Sequence, residues 1–402
     1  MTKTTISKMK RQRIDMPYGN LLPLWFSYAL QELETQTMRR TPKVGIPILL
    51  ISLSVPSIVF AQTEAPTSKQ VHSAIKAGLE WLHKEQAKEG ADIGSFVNPR
   101  YRTATASFAG LAFLANGHTP GKGDFGKAID RTTQFVKPSM TPDGYLGTQD
   151  NSMYVHAICT LFGLSYLGRS TDPEKEKELA EWCRKAVKLI LEAQKIRKAR
   201  TETGGWRYSP YARESDLSVT SWQLLTLHAA KQCGYSIDDD VFDSALKFIN
   251  NSFMETEDGE GGFLYRLGTS KEPEPAATGV AVFMKGLFDK ELDDKVNKSL
   301  KYLSRYPPGW GGRQYNGFFF FGSFYMAQGM FQVGGETWES YRPKIQELLI
   351  DNQEGDGRWG FPPDNKPQSH PAGEAYCTAM AVLILSLDKQ YLPMYQRQRS
   401  LF

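Results

Sequence analysis

The groups best suited to chemistry in this 402-residue chain are carboxyl side chains that stand just before uncharged, apolar runs. Asp216 immediately precedes one such run, 217–230, and Glu214 lies two residues before Asp216. Neighbouring carboxyl groups and hydrogen bonds shift one another's pKa, which makes Asp216 the first candidate for an acid. A structural role fits as well, because Asp216 or Ser215 would serve as the N-cap of the helix that follows.

A second group of candidates surrounds the last apolar run, 375–387. Glu374 precedes this run, Tyr376 lies within it and His370 lies in the loop before it. Cleavage of a glycosidic bond requires two carboxyl groups that face each other across a cleft. Asp216 and Glu374 are the pair that this sequence offers for such a reaction.

We predict neither a metal nor a cofactor. The six histidines are scattered, and the sequence contains no Gly-x-Ser-x-Gly elbow, phosphate-binding loop or dinucleotide fingerprint. His156 and His228 lie in apolar runs, which is typical of core residues. The acidic stretch 238–240 stands at the start of an amphipathic helix, where acidic side chains stabilise the helix N-terminus.

The chain consists of a repeated unit in which a short turn with glycine and an aromatic residue separates two helices. The unit recurs at a spacing of about 50 residues, which indicates a repeat architecture. The six turn cores are Gly94-Ser-Phe96, Asp143-Gly-Tyr145, Gly204-Gly-Trp206, Gly261-Gly-Phe263, Trp310-Gly-Gly312 and Gly357-Arg-Trp359.

The helices on the two sides of each turn differ in character. An amphipathic helix precedes each turn, and an apolar segment without Asp, Glu, Lys or Arg follows it. These apolar segments are 103–117, 153–168, 217–230, 276–284, 317–333 and 375–387. We therefore predict an all-α, single-domain (α/α)6 toroid, with an open solenoid as the alternative. The loops that lead into the inner helices should gather at one mouth, where the helix N-termini favour anions.

The front of the chain does not share the repeat. Residues 38–61 combine a basic segment, an apolar run of 17 residues and small residues before Gln62, in the order of a secretory signal peptide. A spanning helix would need about 20 apolar residues. We expect 1–37 to be an upstream extension, 38–61 to be cleaved and 62–402 to form the toroid, exported to the periplasm or the extracellular space.

The leader also accounts for the basic charge of the whole sequence. Residues 1–61 hold eight of the 48 Lys and Arg residues and three of the 44 Asp and Glu residues. The mature chain would be nearly neutral, so the composition does not indicate nucleic acid as a partner. Nor do we expect a transmembrane anchor after cleavage. The sequence leaves the oligomeric state open.

Several motifs resemble the QW repeat of terpenoid cyclases and protein prenyltransferases. Gln353-x-x-x-Gly357-x-Trp359 carries the whole motif, Leu82-x-x-x-Gln86 carries its first half, and the segment 216–223 resembles an inner helix of squalene-hopene cyclase-like proteins. The resemblance covers roughly 68–390 and implies an (α/α)6 toroid. In such a motif the Gln would bond free helix-end groups of a neighbouring helix, and the Trp would pack across the turn.

The resemblance also implies two possible catalytic centres, and this chain departs from both. The cyclase acid motif Asp-x-Asp-Asp-Thr corresponds to 214–218, which keeps the central Asp216 but has Leu217 where the family has Asp. The prenyltransferase zinc triad would fall on Phe319, Phe321 and Cys377, and one possible ligand cannot hold zinc. The four cysteines allow three full pairings, and the sequence alone does not choose between them. Antiparallel packing of the two helices of one unit would bring Cys183 and Cys233 to the same level, which makes a bridge between them a candidate.

Three functions remain open at this stage. The first is a toroid whose apolar cavity binds or converts an isoprenoid or other lipid, with Asp216 as the acid if it is an enzyme. The second is a non-catalytic ligand-binding or protein-interaction toroid, and the third is a carbohydrate-cleaving enzyme. The substrate-binding candidates at the predicted mouth are Tyr154, Arg313, Tyr315, Phe318, Phe319 and Phe321.

Overall fold

A computed structural model of the protein describes residues 65–88, 96, 101–147, 152–289, 292–311, 313–315, 317–363 and 372–396. These residues all belong to one compact unit, Thr63–Phe402. The predicted upstream extension and signal peptide lie outside the described residues, and so does His370.

Twelve α-helices in the described part of the chain form six consecutive hairpins. The first helix of each hairpin is amphipathic, and these outer helices are α1 Ser68–Gln86, α3 Gly123–Val136, α5 Pro173–Gln194, α7 Asp239–Asn251, α9 Asp294–Ser304 and α11 Gly335–Asp351. The second helix is almost fully buried, and these inner helices are α2 Arg102–Ala115, α4 Ser152–Tyr166, α6 Leu217–Gln232, α8 Pro275–Phe288, α10 Phe319–Val333 and α12 Gly373–Leu385.

The inner helices close into a ring. Each inner helix contacts the next one in sequence, and α12 contacts α2, while the outer helix α11 contacts α1. An open solenoid would leave the faces of α2 and α12 apart. The predicted (α/α)6 toroid is therefore confirmed.

One inner helix departs from the predicted charge pattern. The sequence ended the fourth apolar segment at residue 284, but α8 continues to Phe288 and carries Lys285, of which only 2% is exposed. The Lys285 ammonium group lies 2.7 Å from Asp289 Oδ2, 2.9 Å from Asp293 Oδ2 and 3.0 Å from Asn250 Oδ1. A buried lysine is tolerated here because three oxygen atoms surround its charge.

The glutamines of the QW-like motifs link neighbouring outer helices. Gln353 Nε2 donates to the carbonyl oxygens of Gly357 (2.8 Å) and of Ala74 in α1 (3.0 Å), while Trp359 Nε1 donates to the Leu349 carbonyl (2.7 Å). The Ala74 carbonyl lies in the second turn of α1. The expectation of a free helix-end group was therefore wrong, although the linking role holds.

Three of the turns are held to the following inner helix by the same type of hydrogen bond. The backbone N–H of the aromatic residue in three turns donates to a threonine hydroxyl on the following inner helix, at 3.0 Å each: Trp206 to Thr220, Phe263 to Thr278 and Trp359 to Thr378. In the second unit, Leu146 N–H donates instead to His156 Nδ1 at 3.1 Å. His156 is thus a hydrogen-bonded core residue, and burial lowers its pKa to about 4.

The turn after α7 contains a β-hairpin that the helix pattern did not predict. Strand β1, Phe253–Glu255, pairs antiparallel with β2, Gly261–Phe263. The rings of Phe253 and Phe263 pack edge to face, with centroids 5.3 Å apart.

The segment 392–396 packs against the ring at the C-terminal ends of the inner helices. A short 3-10 helix, Pro393–Tyr395, contacts α4 and α6. His228, near the end of α6, bonds through Nε2 to the Gln396 carbonyl, and Gln332, near the end of α10, donates to the Tyr395 carbonyl. These contacts cover one end of the ring.

Candidate ligand-binding cavity

A cavity of about 560 Å³ occupies the opposite end of the ring, at the N-terminal turns of the inner helices. All six inner helices contribute to its lining. Aromatic rings make up much of the surface, among them Phe108, Trp222, Phe318, Phe321 and Tyr376. Small aliphatic side chains of α8, such as Ala277 and Val280, leave the space between the rings open.

One wall of the cavity carries a cluster of hydroxyl groups, which we call the hydroxyl wall: Tyr154, Ser218, Tyr208 and Tyr265. The Tyr154 and Ser218 hydroxyls are hydrogen bonded to each other, and the Tyr208 and Tyr265 hydroxyls are 2.9 Å apart. Glu274, the N-cap of α8, also lines the cavity. The cavity is therefore apolar with one polar side.

Asp216 lies behind the hydroxyl wall and is the N-cap of α6. Its Oδ1 accepts hydrogen bonds from Val219 N–H at 2.8 Å and from Ser218 Oγ at 2.9 Å. Its Oδ2 is buried without a hydrogen-bond partner among the described residues. Asp216 itself is not part of the cavity lining.

Burial raises the pKa of Asp216 to about 6, against the opposing effect of its hydrogen bonds and of the Arg207 charge. Burial also raises the pKa of Tyr154 and of Tyr265, and the nearby Asp216 carboxylate raises both further. The hydroxyl wall therefore stays neutral at physiological pH.

Glu214 does not reinforce Asp216. The Glu214 side chain is 56% exposed and pairs with Arg266 at 2.7 Å and with Arg207 at 3.6 Å. The sequence placed the two carboxyl groups close together because only one residue separates them. Asp216 is instead held by the first turn of α6, whereas the Glu214 side chain lies at the surface beside the two arginines.

The second candidate group is not assembled at the cavity either. Tyr376 lines the cavity, whereas Glu374 is exposed and its Oε1 lies 3.3 Å from Arg358 Nε. Since neither Asp216 nor Glu374 belongs to the lining, the structure does not bring this pair together across the cavity.

Most of the predicted substrate-binding residues reach the cavity. Tyr154, Tyr315, Phe318 and Phe321 line it. Phe319 does not, because it is fully buried with its ring centroid 4.9 Å from that of Trp310. Arg313 begins the 3-10 helix Arg313–Tyr315, and its side chain is outside the described part of the chain.

The cysteines are free thiols in this structure, so the singled-out Cys183–Cys233 bridge is not formed. Cys377 is buried in α12, and burial raises the pKa of its thiol. Among the described residues, no group of three His, Cys, Asp or Glu side chains is arranged to hold a metal ion.

Four further lining residues were not among the predicted ones: Tyr208, Tyr265, Trp222 and Glu274. A repeated motif carries the signal for the first two, because Gly-Gly-x-x-Tyr occurs three times and ends each time on a cavity residue: Tyr208, Tyr265 and Tyr315. In each case the tyrosine follows the second glycine by three residues.

Fold and cavity together define a closed (α/α)6 toroid with an aromatic cavity at one mouth. No protein-family model matches the sequence, and a search of curated proteins found no match. Solved structures with the same toroid fold do match. A variant of the type II terpene cyclase MstE from Scytonema, in complex with geranylgeranyl dihydroxybenzoate, is 12% identical with a TM-score of 0.50, over 81% of this chain and 98% of that chain.

Two carbohydrate enzymes are similar to the same degree. The α-1,6-mannanase from Salegentibacter sp. HEL1_6 is 11% identical with a TM-score of 0.53, over 79% of this chain and 98% of that chain. A novel alpha-amylase from Clostridium perfringens is 11% identical with a TM-score of 0.52, over 78% of this chain and 97% of that chain. The toroid fold predicted from the resemblance to terpenoid cyclases is confirmed, and at this identity the likeness concerns the fold alone.

Proposed function

We propose that this toroid binds an isoprenoid or a lipid of similar size in its aromatic cavity. The cavity itself carries the proposal: about 560 Å³ lies within the range of roughly 300–1,000 Å³ typical of small-molecule sites. Rings and small aliphatic side chains from six helices surround this space. A toroid used only as an interaction scaffold would have no need to keep its centre open.

Binding is a better account of the site than cyclisation. Protonation of an alkene requires a strong acid that touches the substrate. Asp216 is a weak acid, with a pKa of about 6, and Ser218 and Tyr154 line the cavity where Asp216 does not. We expect no turnover of linear isoprenoids such as squalene or geranylgeranyl dihydroxybenzoate. Turnover that the Asp216→Asn variant loses would restore Asp216 as a catalytic acid.

Carbohydrate cleavage has less support from the site. Glu274 is the one carboxylate among the described lining residues, and glycosidases use two that flank the scissile bond. A polar sugar would also face mainly aromatic and small aliphatic side chains. Mannotriose therefore serves as the carbohydrate comparison in the binding test described next.

The test measures binding of cyclodextrin-solubilised geranylgeraniol by equilibrium dialysis. Ala276 is a half-buried lining residue in the first turn of α8, so Ala276→Phe fills cavity space without disturbing the packed core. This variant should bind at least about tenfold more weakly. Ala199→Phe, at an exposed turn, makes the same change outside the cavity and should bind like the wild type. The proposal fails if mannotriose binds and geranylgeraniol does not. It also fails if Ala276→Phe and Ala199→Phe bind geranylgeraniol equally.

We further propose that the toroid is exported after cleavage behind Ala61. The order of basic, apolar and small residues in 38–61 supports this. Among the described helices, none is both long and apolar enough to cross a membrane. Sequencing the N-terminus of the protein from its native host should return Gln62, and a residue before Val44 would refute export.

A further inference from the structure

We propose that the hydroxyl wall selects ligands whose polar end is a neutral hydrogen-bond donor, such as an isoprenoid alcohol or phenol. The inference rests on the proposed lipid-binding function and names the polar end of the ligand. The observation behind it is the row of hydrogen bonds that connects Asp216, Ser218 and Tyr154, whose direction follows from the donors that these groups have.

The Ser218 hydroxyl has one hydrogen, and it donates that hydrogen to Asp216 Oδ1 at 2.9 Å. Ser218 Oγ can therefore take part in its bond with Tyr154 only as the acceptor. It follows that the Tyr154 O–H donates to Ser218. Tyr154 lines the cavity, and its hydroxyl oxygen keeps a lone pair that can accept a hydrogen bond from a ligand.

The direction of these hydrogen bonds depends on Asp216 being ionised. Because burial raises the pKa of Asp216 only to about 6, the carboxylate form predominates at pH 7.5. A carboxylate accepts hydrogen bonds and cannot donate them. The direction from Tyr154 through Ser218 to Asp216 therefore holds at that pH.

The charges around the cavity disfavour an anionic ligand. Glu274 lines the cavity, Asp216 lies directly behind the hydroxyl wall, and the described lining residues include no Lys, Arg or His. A carboxylate or diphosphate head would be buried beside like charges without a partner. A hydroxyl group can donate to the Tyr154 oxygen without the large desolvation cost of a buried ammonium group, so an alcohol or a phenol is the best match.

Four ligands with the same hydrocarbon chain test the inference on the wild-type protein at pH 7.5: geranylgeraniol, its methyl ether, geranylgeranoic acid and geranylgeranylamine. The alcohol should bind about tenfold more tightly than the ether or the acid, the worth of one good hydrogen bond. Equal affinities, or tighter binding of the ether, the acid or the amine, would overturn it. If none of the four binds, the proposed lipid function itself fails.

Two variants test whether the preference for the alcohol over the ether comes from the hydroxyl wall. Tyr154→Phe removes the acceptor oxygen, so the alcohol and the ether should bind about equally. Tyr325→Phe is the control, because Tyr325 also bonds a serine, Ser221 at 2.8 Å, but does not line the cavity. It should keep the preference, and a preference that survives Tyr154→Phe would refute the assignment.

Ser218→Ala is an independent check. Without Ser218 Oγ, the Tyr154 O–H loses its acceptor and becomes free to donate to a ligand. The ether should then gain affinity while the alcohol changes little, which again reduces the preference. If Ser218→Ala left the preference for the alcohol unchanged, the inferred direction of the hydrogen bond from Tyr154 to Ser218 would be wrong.

Discussion

At the scale of single residues, Asp216 combines two properties that sequence reasoning treated as alternatives. It is an N-cap, because Oδ1 accepts from Val219 N–H, and it is a buried carboxyl group with a raised pKa. The cap explains why the position requires a polar oxygen. Burial behind the hydroxyl wall explains why its charge costs stability at neutral pH.

Asp216 should make the stability of the protein depend on pH. Its pKa is about 6 in the folded protein and near 3.8 when unfolded, so the folded state holds the proton more tightly. The contribution of Asp216 to the free energy of unfolding is fully present below the unfolded pKa. It is lost as the pH rises through 6, and the total loss is about 3 kcal/mol. Asp216→Asn keeps the cap oxygen and removes the titration.

Chemical denaturation of the wild type and of Asp216→Asn between pH 4 and pH 7 checks this prediction. The buried His156 and His228 titrate in both proteins, so their effects cancel in the difference. Relative to the variant, the wild type should lose about 2 kcal/mol across this range, most of the total. A difference that stays constant with pH would show that Asp216 does not titrate near 6.

Lys285 should be a strong determinant of stability. Its ammonium group bonds Asp289, Asp293 and Asn250, and Lys285→Met leaves their oxygens without that charge. The two carboxylates are partly exposed, so water compensates in part, and we expect a loss of about 3 kcal/mol in urea unfolding. Lys301→Met changes an exposed lysine on α9 and should cost less than about 0.5 kcal/mol. Similar losses in both variants would argue against the buried cluster.

At the scale of elements, the repeat was predictable because its signals are local. Amphipathic and uncharged segments follow from 3.6-residue periodicity, and a glycine-aromatic turn separates each pair. The β-hairpin at 253–263 was missed because its turn sequence also fits a helix-to-helix connection. Lys285 was missed because its partners come from α7 and from the turn after α8.

The candidate site was predictable only in part, for a similar reason. Phe318, Phe321, Tyr315 and Tyr154 could be placed at the mouth from their positions at the starts of inner helices. The hydroxyl wall joins residues from α4, α6 and two turns. No single segment of sequence contains that arrangement, and only the closed ring brings its parts together.

Gly357 is required by the contact between its turn and α1. Its φ is +99°, and a Cβ at this position would lie 2.5 Å from the Ala77 carbonyl oxygen. Gly357→Ala should therefore cost about 2 kcal/mol or more, from backbone strain and from displacement of α1. Gly360→Ala, in the same turn but with no atom within 4 Å of its Cβ, should cost less than about 1 kcal/mol. Thermal unfolding compares the two, and equal melting temperatures would contradict the role of the contact.

At the scale of the whole molecule, the ring has two different ends. The cavity lies at the N-terminal turns of the inner helices, and the segment 392–396 packs at their C-terminal ends. Leu392, Met394 and Tyr395 are each at most 2% exposed. Their burial makes the segment part of the core, so it should stabilise the ring without contributing to ligand binding.

A chain that ends at Gln390 tests this division. Loss of three buried apolar side chains, each worth about 1.5–3 kcal/mol, should lower the free energy of unfolding by about 5 kcal/mol. A chain that ends at Gln396 keeps these contacts and is the matched control. At a temperature where both remain folded, their affinities for geranylgeraniol should agree within about twofold, because the cavity is at the other end. If the shorter chain were as stable as the control, or if it stayed folded but lost the ligand, the two ends would not have the separate roles that the structure gives them.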